Sequence, residues 1–203
     1  MYRKDKKREV YTVKAHNEGY PARSIYKLKE INEKFRLIGK DYRVLDLGSA
    51  PGSWLKYLGE IVGDGGMVVG IDLSELRFNL PKNTKFIQKD IYELSGKELL
   101  LNTSGFNAVT SDMAAKTTGI ESADSGATND LVRQGLSIAK EVLVRNGVFI
   151  AKLFENNDTK DILKEVKGCF KSARMFRPQA TTKHSKEVYL IALGYQPATQ
   201  IDE

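Results

Sequence analysis

The chain has 203 residues, 41% apolar and 29% charged, which suits a buried core and excludes a disordered chain. One cysteine, Cys169, excludes a disulfide framework and a cysteine metal centre, and it fits a reducing compartment, so a cytoplasmic protein is expected. The opening MYRKDKKREV is too charged for a secretory signal, and no apolar run is long enough for a membrane span. The net charge of +6 is unevenly placed: residues 1–36 hold 11 Lys/Arg against 5 Asp/Glu, and the remainder is balanced. A second basic stretch runs from Lys171 to Lys186. Two basic segments around a neutral body point to a polyanion, nucleic acid first, or to a merely solubilising surface.

In chain order, Ile25, Leu28, Ile31 and Phe35 recur at helical spacing and predict a helix over Ser24–Phe35. Arg43–Leu47 reads as a buried strand, followed by a helix over Pro51–Val62 with proline in its first turn. Further strands are expected at Gly66–Leu73, Thr84–Asp90 and Phe106–Met113. A long helix is expected over Asn129–Gly147, with Val132, Leu136, Ala139 and Leu143 on one face and Asn146-Gly147 as its stop. Then come a strand at Val148–Phe154, a helix over Asp158–Phe170 and two closing strands, SARMFRP and EVYLIALGY. Alternating helices and continuous apolar strands predict an α/β fold, a mostly parallel sheet of seven strands covered on both faces. The last two strands have no helix between them and should form an antiparallel pair at one edge.

In such sheets ligands bind at the carboxyl ends of the strands. The turn Asp46–Gly52, with Asp46, Gly48, Ala50, Pro51 and Gly52, follows the first strand and lets a ligand approach the backbone. Its G-S-A-P-G pattern is neither the G-x-G-x-x-G of dinucleotide enzymes nor a Walker loop. Asp72 ends the second strand and could take ribose hydroxyls; Asp90 ends the third and could accept from an adenine amino group; Trp54 could wall the pocket. Together they suggest a nucleoside site of the S-adenosylmethionine kind, ahead of a nicotinamide dehydrogenase, which lacks its fingerprint here. Asp112, Lys152 and Glu187 stand at the other strand ends. A lysine inside the apolar run FIAKLF is costly unless paired, so Lys152 is either half of an ion pair with Asp112 or a catalytic group.

These residues carry a resemblance. The segments ARSIYKLKEI, VLDLGSAPGSW, SDMA with a later DLVR, and FIAKLF with SKEVYLIALG resemble the FtsJ/RrmJ type of RNA ribose 2′-O-methyltransferase from about Arg23 to Gly194. The resemblance implies a Rossmann-like methyltransferase domain over 1–203, with a basic RNA-contacting segment (1–36), a core (37–195) and a tail (196–203). It implies S-adenosyl-L-methionine as cofactor, no metal, and a tetrad of Lys27, Asp112, Lys152 and Glu187. Cofactor contacts would fall on Gly52, Trp54, Asp72, Asp90 and Asp112, and Arg23, Lys27, Lys29, Lys183 and Lys186 would meet RNA. The implied substrate is a uridine of large-subunit ribosomal RNA, with the tRNA anticodon loop as the alternative; a monomer is expected. A non-catalytic RNA-binding protein on the same fold is the competing class, and the complete tetrad argues against it. The family often continues SDMA with Pro-Asn, whereas Ala115 and Lys116 follow here, which touches the local substrate loop.

Overall fold

A computed structural model describes residues 6–76, 79–101, 103–115, 121–182 and 185–197. Seven strands form one sheet: β1 (Arg43–Leu47), β2 (Met67–Asp72), β3 (Thr84–Gln88), β4 (Phe106–Ser111), β5 (Leu143–Phe154), β6 (Phe170–Phe176) and β7 (Glu187–Tyr195). Their order is β3-β2-β1-β4-β5-β7-β6. The first five are parallel; β7 runs antiparallel between β5 and β6, so the expected edge pair is present. The helices are α1 (Lys6–Asn17), α2 (Ile25–Phe35), α3 (Ser53–Val62), α4 (Gly96–Leu100), α5 (Glu121–Val142) and α6 (Thr159–Lys167). No helix among the described residues is long and apolar enough to cross a membrane.

Two cores cover the two faces, because successive residues of a strand point to opposite sides. Leu45 and Leu47 of β1 pack with Val109, Phe149 and the α5 residues Val132, Leu136 and Ala139. Val44 packs with Ala108, Ile150, Tyr189 and the α2 and α3 residues Leu28, Ile31, Trp54 and Leu58. Leu136 is fully buried at the centre of the first core. Leu136→Ala is expected to cost about 2–5 kcal/mol by leaving a cavity, read as a lowered urea midpoint at unchanged slope.

Several element boundaries differ from expectation; the helix expected to run to Phe170 stops at Lys167, and Phe170 opens β6. The long helix stops at Val142, and Leu143 already belongs to β5. Asn146 takes a left-handed φ of 64°, and the β4–β5 register jumps between Phe106↔Leu143 and Ala108↔Val148. Asn146-Gly147 therefore makes a bulge inside the strand, not a helix stop. The same helix begins at Glu121, because its early turns bury small polar groups, Ser125, Thr128 and Asn129, that carry no apolar period. Pro51 lies outside α3, since Gly52 (φ 107°) breaks helical geometry and caps it. Two helices, α1 and α4, were not expected; α1 (KKREVYTVKAHN) lacks an apolar stripe and α4 is five residues long.

Candidate active site

The sheet register assembles a polar line on the α2–α3 face. Asp46 is paired with Thr110, Thr110 with Ile150, and Ile150 with Ile191. One step of two residues toward the strand ends brings Asp112, Lys152 and Tyr189 side by side on that face, with Lys152 opposite Tyr189 in the register. Lys152 Nζ lies 3.2 Å from Asp112 Oδ1 and donates to the Asp112 carbonyl at 2.5 Å. The Tyr189 hydroxyl donates to Asp112 Oδ1 at 2.7 Å. Glu187, at the start of β7, pairs with Lys27 of α2 at 2.6 Å. Lys27 Nζ also stands 5.9 Å from the Tyr189 ring centre, so the two ion pairs join through one tyrosine. The charged side chains are nearly buried: Lys152 keeps 8% of its exposure, Lys27 10%, Glu187 13% and Asp112 17%. All four residues expected as a tetrad are thus brought together.

Tyr189 is the residue that sequence reasoning missed. It is fully buried, two positions after Glu187 and so on the same face of β7, a period-two signal that was legible. Burial raises its hydroxyl well above the usual range, and the Asp112 and Glu187 carboxylates add to this, so it remains a donor. Burial pushes the Asp112 carboxyl up, but Lys152, then Lys27 and the Tyr189 hydrogen bond outweigh it and hold the group below the ordinary carboxylate range.

Beside this line opens a cavity of about 310 Å³ lined by Gly48, Ala50, Asp72, Asp90, Asp112 and Met113 among others. Gly48 (φ 74°) lets the first loop pass under Met113. Asp72 fixes that loop: its Oδ2 accepts from the Ala50 N–H at 2.9 Å and its Oδ1 from the Ser74 N–H at 2.8 Å. Asp90 Oδ1 accepts from the Tyr92 N–H at 2.9 Å, which turns the chain along the cavity wall. Each carboxylate oxygen retains a second lone pair for a ligand.

Four expected cofactor contacts do not line this cavity. Trp54 keeps 3% of its exposure; its Nε1–H donates to the Ser24 carbonyl at 3.0 Å and its ring lies against Tyr189 at 5.9 Å. It joins α3 to α2 and backs the tetrad instead, because a helix that opens beneath the loop turns its first residues inward. Pro51 is exposed and Gly52 is buried at the α3 cap. Asp46 sits one row behind the cavity, with 1% exposure. Its Oδ1 accepts from the Thr110 hydroxyl at 2.7 Å, while its buried Oδ2 has no hydrogen-bond partner among the described residues. Burial, reinforced by Asp112 and Asp72 against the Thr110 hydrogen bond, pushes its carboxyl up to about 8.

Folding raises this acid's pKa above its unfolded value of 3.8, so the folded chain binds the extra proton and a stability cost accumulates from about pH 4 to about pH 8. Asp46→Asn is neutral at every pH. Its urea stability relative to the native chain should rise between pH 5.5 and 8.0; an unchanged difference would place Asp46 as a carboxylate throughout.

The expected RNA contacts are scattered. Lys29 pairs with Glu18 at 3.1 Å and stands over the Tyr20 ring at 5.0 Å. Arg23 is half-buried just before α2, and Lys186 is exposed just before Glu187. Lys183 lies outside the described residues, as does Lys116. No group of three or more His, Cys, Asp or Glu placed to hold a metal ion occurs among the described residues.

A protein from Lawsonia intracellularis named ribosomal RNA large subunit methyltransferase E is 40% identical over 194 residues, covering 95% of this chain and 97% of that one. One of the same name from Desulforapulum autotrophicum is 41% identical over 184 residues, 91% of each. A crystal structure from Plasmodium falciparum described as a ribosomal RNA methyltransferase shares the fold, with a TM-score of 0.76 at 22% identity over 88% of this chain and all of that one. The profile of the FtsJ-like methyltransferases matches residues 20–195, and with the curated relatives it shows that this chain belongs to that family.

Proposed function

We propose that the chain transfers a methyl group from S-adenosyl-L-methionine to a ribose 2′-hydroxyl of RNA, at a uridine of large-subunit ribosomal RNA. The observation that carries this reading is the line of Asp112, Lys152 and Tyr189, closed by the Lys27–Glu187 pair, at the mouth of an acid-walled cavity. The names of relatives about 40% identical support the ribosomal acceptor.

The cavity residues fit such a donor. Gly48 leaves room where a Cβ would meet Met113, and Asp72 and Asp90 offer acceptors suited to ribose hydroxyls and an amino group. The donor supplies an activated methyl carbon, which leaves the protein to align the acceptor and manage charge.

We assign that work to Lys152. Two of its N–H groups face the Asp112 carbonyl and carboxylate, which leaves one for the acceptor oxygen. That N–H would fix the oxygen and stabilise the negative charge that grows on it while its proton passes to solvent water. Asp112 and Tyr189 hold Lys152 in place, and Lys27 with Glu187 closes the side facing α2. Burial strengthens each of these contacts by excluding water.

The test is transfer of labelled methyl from S-adenosylmethionine to large ribosomal subunits, bare ribosomal RNA and bulk tRNA, followed by nucleoside analysis. A 2′-O-methyluridine in the large subunit or its RNA is the expected product. Label confined to tRNA would overturn the ribosomal assignment, and a base-methylated product would overturn the ribose chemistry.

A further inference from the structure

A second cavity, of about 320 Å³, lies outside the site described above. Its walls come from three segments: Tyr11 and Lys14 of α1; Tyr26, Lys29 and Glu33 of α2; and Gln179 with Ala180 in the connection between β6 and β7. The Gln179 N–H donates to Glu30 Oε2 at 2.7 Å, which holds that connection against α2. The groove adjoins the tetrad. Tyr26 and Lys27 are consecutive on α2 and so face adjoining sides of one helix. The β6–β7 connection that forms the far wall leads directly into Glu187.

Its chemistry divides in two. Tyr11 is half-exposed and packs its ring against Tyr26 at 5.2 Å with a 42° tilt, which leaves an aromatic surface at the opening. Lys14 and Lys29 stand 4.8 Å and 5.7 Å from the Tyr26 ring centre, and both contact Glu18, at 3.8 Å and 3.1 Å. Exposed pairs of this kind are worth about 0–1 kcal/mol, so a phosphate can replace Glu18 as their partner. The lining also carries two carboxylates of α2: Glu30, whose Oε2 accepts from the Gln179 N–H, and the exposed Glu33, which accepts hydrogen bonds and repels anions. An aromatic surface, two cations and an exposed carboxylate suit one nucleotide: phosphate at the lysines, base on Tyr11, an exocyclic amino group on Glu33.

We propose that this groove binds a nucleotide of single-stranded RNA that flanks the methylated ribose, and that it favours a base bearing an amino group over uracil. The inference rests on the proposed RNA reading and extends it to a second binding position. Seating a flanking nucleotide here steers the strand across α2 toward Lys152.

The test is fluorescence-anisotropy binding of labelled oligo(U), oligo(C) and oligo(A) nonamers at about 50 mM salt, where phosphate contacts are strong. The native chain should bind oligo(C) and oligo(A) several-fold more tightly than oligo(U). Tyr11→Ala should weaken binding of all three about tenfold, as loss of one stacked base predicts. Glu33→Gln, an exposed change that folding tolerates, should abolish the preference. Asp161→Asn on α6, which removes the same single negative charge elsewhere as Glu33→Gln, should do neither. Native-like binding and preference in both groove variants would overturn the proposal, as would equal binding of the three oligomers by the native chain. Methyl transfer decides the other question: a native chain that methylates RNA while groove variants bind normally leaves the function standing and the groove refuted.

Discussion

Lys152→Ala should lower methyl transfer by about 10²–10⁴-fold while donor affinity stays within a few-fold of native, measured by single-turnover labelling and calorimetric titration. The effect is large because Nζ is the group left pointing at the acceptor once Asp112 has taken its other two contacts. Donor affinity survives because Lys152 does not line the cavity, whereas its partner Asp112 does. Stability should also move, since the substitution leaves the Asp112 carboxylate with Tyr189 and the more distant Lys27 as compensation. Truncating one partner of a buried pair typically costs about 3–5 kcal/mol, and a site still partly exposed falls at or below the lower end. Lys152→Arg refines the result. It preserves positive charge on a different fork of donors, so it should retain more activity than Lys152→Ala. If the two variants were equally inactive with donor bound, Lys152 would act by accepting the hydroxyl proton and not by its charge.

The polar line was legible because a strand has a period of two. Asp112 stands at the end of β4 and Lys152 inside the apolar run of β5, and parallel neighbours bring such positions into register. Lys27 lies far away in sequence, yet its place follows from Ile25, Leu28 and Ile31, which fix the buried face of α2. What could not be read is set by tertiary packing. Whether Trp54 faces the cavity or α2 depends on how α3 rotates after Gly52, and nothing local encodes that rotation. The same holds for Asp46, whose carboxyl looks like an accessible loop group in sequence and lies one row inside the sheet. Helix α5 hides its start because Ser125, Thr128 and Asn129 are buried without being apolar. Asn129 is held there by hydrogen bonds, its side-chain amide donating to Asn156 at 2.9 Å and reaching the Phe154 carbonyl at 3.4 Å. A polar side chain buried by a specific partner is invisible until that partner is in place.

Gly48→Ala should weaken donor binding at least tenfold and lower methyl transfer with it, while leaving the sheet folded. Two effects act together. The backbone at Gly48 has a φ of 74°, where an L side chain is strained by roughly 1–2 kcal/mol. An added Cβ would also lie 2.5 Å from Met113 Cγ and 3.0 Å from the Met113 N and Cα. The side chain can swing away, but the backbone of Met113 cannot, because the Asp112 N–H donates to the Leu47 carbonyl at 3.3 Å and ties the two strand ends together. The loop must therefore move into the cavity that Gly48 lines, and it carries with it the Ala50 N–H held by Asp72. Circular dichroism should be native-like and the melting temperature lowered by a few degrees, as for a strain of about 1–2 kcal/mol in a domain of this size. Calorimetric titration with S-adenosylmethionine should show at least a tenfold loss of affinity. Gly63→Ala is the control: with φ 66° and ψ −172° it strains the backbone at least as much, but its Cβ would meet nothing within 4 Å. If Gly63→Ala weakened the donor as much as Gly48→Ala, the loss would come from global strain, and the close approach of Gly48 to Met113 would not define the donor site.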